Sequence, residues 1–245
     1  MFAPGGPTLR ELAVQALSSV EHGYDLLAPA FDRTPFRTPA PLLDAVAAEL
    51  ALLGPFERGL DVCCGTGAGA DVLSAVCQLS VTGADFSTGM LTRARTARAD
   101  RPRPVPEHWV RADALALPFD GAFDLAVSFG AFGHFLPRQR PRLFAEVYRA
   151  LRPGGRFAFP QPAPAPPTSR AYWAMLGFDT AMRLRNAVWR PPFVMYYRTF
   201  PTGPVLSELA ATGFELALRP LTGTGRRPDG TPRCALVVAT RPTTS

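Results

Sequence analysis

Gly59-Leu-Asp-Val-Cys-Cys-Gly-Thr-Gly-Ala-Gly69 reads as a short strand running into a glycine-rich turn that opens a helix over about Ala68 to Cys77. Glycines at 65, 67 and 69 let the chain turn tightly and let a ligand approach with no Cβ in the way. The turn meets a helix N-terminus, whose unsatisfied N–H groups favour negative charge. Asp85 follows Gly65 by 20 residues, at the end of the next strand, where a carboxylate can accept from both hydroxyls of a ribose. Gly65-x-Gly67-x-x-Ala70 taken alone also fits a relaxed dinucleotide fingerprint, so the turn leaves a nicotinamide oxidoreductase open.

Outward from the turn, short apolar runs alternate with helical patterns. Leu79 to Ala84 is a strand, Ser87 caps a helix through about Ala99, and His108 to Arg111 and Phe123 to Phe129 are two more strands. A helix with Pro141 in its first turn carries Leu143, Phe144, Val147 and Leu151 on one face. Gly154-Gly155 ends it and launches a strand from Arg156 to Phe159. Such alternation argues for a parallel sheet covered on both faces. Upstream, Thr8 to Val20 and Pro41 to Leu53 are amphipathic helices separated by a proline-broken segment, Tyr24 to Pro39. Downstream, Pro160 to Pro167 is an extended loop and Ser169 to about Asn186 a helix. Thr202 to Thr212 is a helix stopped by Gly213, and Phe214 to Leu218 and Arg233 to Ala239 form an antiparallel pair.

The 245 residues contain no apolar run near the ~18 residues that a membrane helix needs, and no basic segment leads into an apolar stretch at the start. A soluble, cytoplasmic protein without membrane insertion is expected. Cysteines at 63, 64, 77 and 234 form no pair of CxxC units, so neither a metal site nor a disulfide framework is indicated. The net charge of +6 invites a nucleic-acid reading, but every basic residue is arginine, which points to a coding bias rather than to one selected basic face. The groups Arg93, Arg95, Arg98, Arg101, Arg103 and Arg138, Arg140, Arg142 read as solvated helix surfaces, and no nucleic-acid partner is expected.

Two carboxylates separate the options left open by the glycine turn. Asp61 lies four residues before Gly65 inside the incoming strand; a pyrophosphate gains nothing from a carboxylate there, whereas an ammonium does. Asp113 ends the third strand beside apolar residues, where it could accept a hydrogen from an exocyclic amine. The ordered stretches Leu60-Asp-Val-Cys-Cys-Gly-Thr-Gly67, Val81-Thr-Gly-Ala-Asp-Phe-Ser87, Asp113 with Leu117-Pro-Phe119, Phe123-Asp-Leu-Ala-Val-Ser128 and Leu151-Arg-Pro-Gly-Gly155 together resemble a class I S-adenosylmethionine-dependent methyltransferase. The resemblance covers about residues 57 to 160.

That resemblance implies an α/β, Rossmann-like, doubly wound fold: a seven-stranded, mostly parallel sheet with an antiparallel last strand, helices on both faces, N-terminal helices and a helical lid insertion. It divides one domain into an N-terminal cap (1–55), a cofactor-binding core (56–160), a substrate lid (161–201) and a C-terminal helix with a strand pair (202–245). It also implies S-adenosylmethionine as cofactor, with S-adenosylhomocysteine as product. Asp61 would then steer the methionine ammonium, the backbone at Cys63, Gly65 and Gly67 would line methionine and ribose, and Asp85 would hold the ribose hydroxyls. Phe86 and Met90 would lie against adenine, Asp113 and Ala114 would meet its amine, and Phe129 would sit beside the cofactor. Cys63 departs from the glycine usual in the family, so the backbone there must tolerate a Cβ.

Methyl transfer from a sulfonium is an in-line substitution in which the protein chiefly aligns the acceptor and excludes water. A base is needed only if the acceptor loses a proton. His134, in Phe129-Gly-Ala-Phe-Gly-His-Phe135 after the fourth strand, is the catalytic candidate, with packing among Phe132 and Phe135 as its alternative. His22 and Tyr24 are candidates for closing over the cofactor. Residues 172 to 197 collect Tyr172, Trp173, Met175, Phe178, Met182, Trp189, Phe193, Met195, Tyr196 and Tyr197, which suits a small hydrophobic or aromatic acceptor. Ser128-Phe-Gly-Ala131 is not the Asn/Asp-Pro-Pro-aromatic motif of amine-methylating nucleic-acid enzymes, and no cysteine follows a proline. The acceptor atom (oxygen, nitrogen or carbon) and the oligomeric state stay open. The rival classes are a nicotinamide oxidoreductase and a methyltransferase-like binding protein without turnover.

Overall fold

In the computed structural model, which describes residues 8, 14, 17–34, 36–101, 104–190, 193–196 and 200–243, seven strands pair into a sheet. They are β1 (Phe56–Val62), β2 (Cys77–Asp85), β3 (Glu107–Arg111), β4 (Phe123–Val127), β5 (Leu151–Pro162), β6 (Glu215–Pro220) and β7 (Cys234–Thr240), ordered β3-β2-β1-β4-β5-β7-β6. The pairs from β3 through β5 are parallel, and β7 is antiparallel to both β5 and β6. The helices are α1 (Val20–Leu27), α2 (Ala40–Ala51), α3 (Ala68–Val76), α4 (Thr88–Arg98), α5 (Arg140–Ala150), α6 (Arg170–Val188) and α7 (Thr202–Thr212). This is the doubly wound fold expected from the sequence.

Strand side chains alternate between faces. Leu60, Val62, Phe157, Phe159 and Val237 pack with Leu143, Phe144 and Val147 of α5 and Val205 and Leu209 of α7. Leu125, Val127, Ala158, Leu236 and Val238 pack on the other face with Val46 and Leu50 of α2 and Leu73 of α3. Burial on both faces is why β4 and β7 read as nearly unbroken apolar runs. Phe144, Phe157 and Phe159 are fully buried, each contributing about 1.5–3 kcal/mol by burial alone. Asp61 sits between Leu60 and Val62 and so points to the opposite face, toward α3. Strand order reverses between β1 and β4, which opens a crevice at their carboxyl ends. Ser128 Oγ donates to the Val62 carbonyl at 2.8 Å and ties the two ends together.

The structure corrects the sequence reading at several joints. Tyr24 to Pro39 is not merely broken by proline: α1 runs to Leu27 and a 3₁₀ turn covers Ala28–Arg33. Pro29 is tolerated there because it falls in the first turn, where its missing N–H has no partner to lose. The helix expected over Thr8 to Val20 falls largely outside the described residues. Gly154 and Gly155 do not end α5, which stops at Ala150; they lie in an irregularity of β5, where Leu151 to Arg156 oppose only Phe123 to Leu125. Pro160 and Pro162 extend β5, pairing with Leu236 and Cys234. Pairing with β4 ends at Ala158, so the prolines sit where that side of the strand is an open edge.

Most members of the two arginine groups find partners within the chain. Arg98, 6% exposed, spans Asp71 and Glu107 at 2.5 Å each, and Arg93 meets Asp32. Arg140 pairs with Glu208, while Arg95 and Arg142 donate to the carbonyls of Trp109 and Leu115. Arg103 lies outside the described residues.

Candidate active site

A cavity of about 1800 Å³ opens at the carboxyl ends of β1, β2 and β4. Asp61, Cys63, Gly65, Asp85, Phe86, Met90, Asp113, Ala114, Phe129 and His134 all border it. Gly67 does not: it caps α3 against the Trp109 ring, on the side of a smaller cleft, so its backbone turns the loop without lining the cavity.

The β1–α3 turn brings the chain over the cavity in a left-handed conformation at Cys63 (φ 59°) and Gly65 (φ 52°). Cys63 carries a Cβ where this conformation costs an ordinary residue about 1–2 kcal/mol. Gly65 shows why the turn is glycine-rich: a Cβ there would meet no protein atom, so the space over it is open to a ligand. Gly69 serves a different purpose, since a Cβ would lie 2.4 Å from the Asp61 carboxylate. Its absence lets α3 pass directly over Asp61.

Asp61 is 1% exposed and neither carboxylate oxygen accepts a hydrogen bond. The Gly69 N–H eases its charge without reaching hydrogen-bond geometry, and Arg98 helps from a distance. Burial, together with the neighbouring Asp85, nevertheless pushes its pKa well above the ordinary carboxylate range. An unpartnered carboxylate facing a cavity calls for a cationic ligand group such as an ammonium, and a pyrophosphate would be repelled. Asp85 is 6% exposed, and its two oxygens accept from Gly65 N–H and Ser87 N–H at 2.9 Å each. Burial raises its pKa, against the pull of those two bonds. Each oxygen keeps lone-pair capacity for a further donor, such as a ribose hydroxyl. Met90 is buried and Phe86 half-buried at the cavity wall, and Asp113 closes a turn through Leu115 N–H at 2.9 Å while remaining exposed at the cavity edge. The thiols of Cys63 and Cys64 are pushed up by burial and the adjacent aspartates, so they stay protonated.

His134 has both ring nitrogens engaged. Nδ1 lies 2.7 Å from the Val194 carbonyl, which can only accept, so Nδ1 carries the proton. Burial lowers the pKa, so the ring is neutral and Nε2 accepts from the Tyr24 hydroxyl at 2.7 Å. The His134 ring stands edge-on to those of Tyr24 and Phe193, with centroids 5.1 and 6.4 Å away. Tyr24 borders the same cavity, and among the described lining residues His22 is absent. Residues 193–196 are laid over this pair: Tyr196 N–H donates to the Gly133 carbonyl at 2.8 Å, and Asn186 of α6 holds Phe193 and Tyr196.

The aromatic lid segment divides in two. Tyr172, Met175, Met195 and Tyr196 face the cavity, together with Phe31, Phe36, Phe132 and Phe200. Trp173 and Trp189, part of the cluster read as suiting an acceptor, face outward, 61% and 49% exposed. Tyr197 lies outside the described residues. Sequence reading missed Asp25 and Asp32. Asp25 accepts from Ser87 Oγ and Gly89 N–H at the start of α4, and Asp32 from Thr66 Oγ1 and Arg93. They pin the N-terminal cap over the cavity, and no spacing in the sequence signals either contact.

Comparison with known proteins agrees with this geometry. A model of a methyltransferase domain matches residues 60–155. The 2-phytyl-1,4-naphtoquinone methyltransferase of Synechocystis is 31% identical over 188 residues, 71% of this chain and 76% of the relative. The demethylmenaquinone methyltransferase of Thermus thermophilus is 33% identical over 186 residues, 72% of this chain and 82% of the relative. Among solved structures, the [4+2]-cyclase SpnF shares the fold with TM-score 0.63 and 19% identity, over 92% of this chain and 96% of that one. With an orphaned carboxylate under the glycine turn, a second at the end of β2 and relatives alike over most of their length, the chain belongs to the class I S-adenosylmethionine-dependent methyltransferases and takes S-adenosylmethionine as its cofactor.

Proposed function

We propose that this enzyme methylates a flat hydroxyaromatic or quinol-like molecule, with Tyr24 and His134 receiving the proton that the acceptor gives up. The observation that carries the reading is the outer cavity: an aromatic and thioether wall facing a hydrogen-bonded tyrosine–histidine pair. The names of the two relatives, both quinone methyltransferases, support the same acceptor class.

In this proposal Asp61 holds the ammonium of the cofactor, Asp85 the ribose hydroxyls, and Phe86, Met90, Asp113 and Ala114 the adenine. Gly65 and Cys63 present backbone to the methionine and ribose, and Phe129 packs beside them. The cofactor would supply a methyl group on a sulfonium, from which a neutral thioether leaves with the electron pair of the broken C–S bond. The apolar wall orients the acceptor and excludes water, which raises the effective concentration of the two reacting atoms. As the acceptor oxygen becomes nucleophilic, its proton passes to the Tyr24 oxygen while the Tyr24 proton passes to His134 Nε2. The neutral tautomer of His134 is the one this transfer needs.

This scheme assigns residues 1–55 to an N-terminal cap, 56–160 to the cofactor core, 161–201 to the lid and 202–245 to the C-terminal helix and strand pair. A cytoplasmic location belongs to the same proposal. The internal pairing of Arg93, Arg98 and Arg140 supports a small-molecule acceptor over nucleic acid.

The test is mass-spectrometric detection of methyl transfer from S-adenosylmethionine to a panel of quinols, naphthols and polyphenols, with small polar amines and oligonucleotides as comparison sets. Transfer to the hydroxyaromatics supports the reading. Transfer confined to amines or oligonucleotides overturns it.

A further inference from the structure

Helix α6 leaves large apolar side chains on its outer face. Its sheltered face carries Asp179 and Asn186, 5% and 9% exposed, whereas Trp173, Leu184 and Val188 lie 61%, 68% and 79% exposed. Trp173, Leu184 and Val188 lie on one stripe of the helix and form an outer apolar ridge interrupted by Gly177 and Thr180. Trp189 extends it: its indole N–H donates to the Leu17 carbonyl at 3.3 Å, joining the exposed Leu17 to the same surface. Exposed apolar area of this kind marks a docking surface.

The charge around the ridge is one-sided. Arg170 and Arg190 are exposed, Arg183 turns its guanidinium back over the Tyr196 ring at 4.6 Å, and the sole acid between residues 170 and 190 is the buried Asp179. Two copies packed through this face would bring arginines together with no exposed acid on the helix to meet them. An anionic lipid surface meets both features, taking tryptophan and leucine at the headgroup boundary and arginine against phosphate. Among the described residues no helix is long and apolar enough to cross a membrane, so contact would stay at the surface.

We propose that the outer face of α6, with Trp189 and Leu17, docks this protein on anionic membrane surfaces. Because Tyr172 and Met175 on the inner side of α6 border the cavity, docking places the cavity one helix away from the bilayer, where an apolar acceptor is concentrated. That consequence rests on the acceptor class proposed above; the docking does not.

Flotation of the full chain with vesicles of phosphatidylcholine, alone or mixed with phosphatidylglycerol, tests it. The protein is expected to float with the mixed vesicles only and to be released by salt. Leu184→Glu with Val188→Glu should lower the partition coefficient at least about tenfold, and so should Arg170→Glu with Arg190→Glu. Unchanged S-adenosylhomocysteine affinity shows that the variants are folded, and a loss of that affinity in wild type would bear on the methyltransferase site alone. Failure of the wild type to float with mixed vesicles overturns the proposal. Sedimentation would then assign the ridge to a second copy, if Leu184→Glu splits a dimer, or to no partner.

Discussion

Asp61 and Asp85 are two buried carboxylates in one site, and their energetics differ because their partners differ. Asp61, with its pKa raised by burial and by Asp85, keeps a proton to higher pH than an exposed carboxylate would. Binding of an ammonium-bearing ligand favours the charged form, so the proton is released on binding at pH values below the raised pKa. Calorimetry with S-adenosylhomocysteine in buffers of different ionisation enthalpy should detect that release, and Asp61→Asn should abolish it and weaken binding. Asp85 is a carboxylate acceptor, and hydrogen bonds that a ligand hydroxyl donates to a charged group contribute about 1.5–3 kcal/mol. Asp85→Ala should therefore weaken the same ligand by roughly ten-fold to over a hundred-fold. An unchanged affinity would remove Asp85 from the ligand. Tyr24→Phe keeps the ring against Phe31 and Phe193 but removes the hydroxyl that meets His134. Its expected effect is a kcat lower by about 10²-fold or more, with cofactor affinity intact. Since burial lowers the His134 pKa from 6.5, the acid limb of the wild-type profile should lie below that value, where the ring at last takes a proton.

At the scale of elements, the cofactor face is held by contacts between helices distant in sequence. Asp25 of α1 serves the N-terminus of α4, and Arg98 of α4 reaches Glu107 of β3 and Asp71 of α3. The Glu107 side chain is 1% exposed and that of Arg98 7%, so removing the cation strands a buried carboxylate. Arg98→Ala should destabilise the protein by about 3–5 kcal/mol in denaturant unfolding. Adding Glu107→Gln should recover part of the loss, whereas a simple surface pair would show neither effect. Legibility followed the same division. The helices at Ser87 and Gly213 were readable because a capping hydroxyl (Ser87 Oγ accepting from Met90 N–H at 3.1 Å) and a left-handed stop (φ 105°) are local devices. The run of β5 through Pro160 and Pro162 was not, because it depends on which neighbouring strand lies on which side.

For the whole molecule, ligand binding and pH act on one stability. Saturation at about a hundred times Kd stabilises by about 2.7 kcal/mol, which at this size raises Tm by roughly 5–10 °C; Asp61→Asn should lose most of that shift. The two buried groups pull against pH in opposite directions. His134, with a lowered folded pKa, withdraws stability as pH falls through 6.5, since the unfolded chain then binds a proton that the fold refuses. Asp61, with a raised folded pKa, withdraws stability as pH rises from the ordinary carboxylate range up to that raised value. Asp61→Asn should accordingly raise the Tm of the ligand-free protein at alkaline pH. The amino-acid order alone determined the alternation that builds the sheet and the glycine turn with its flanking aspartates, because periodicity, caps and motif spacing act over a few residues of chain; the cofactor came from the family resemblance that those ordered motifs carry. Only the tertiary structure decided that Asp61 has no partner, that Gly67 turns away, that Tyr24 meets His134 and that Trp173 faces outward. Those facts depend on which surfaces remain uncovered once elements a hundred residues apart have packed, and burial of that kind is a property of the assembled fold.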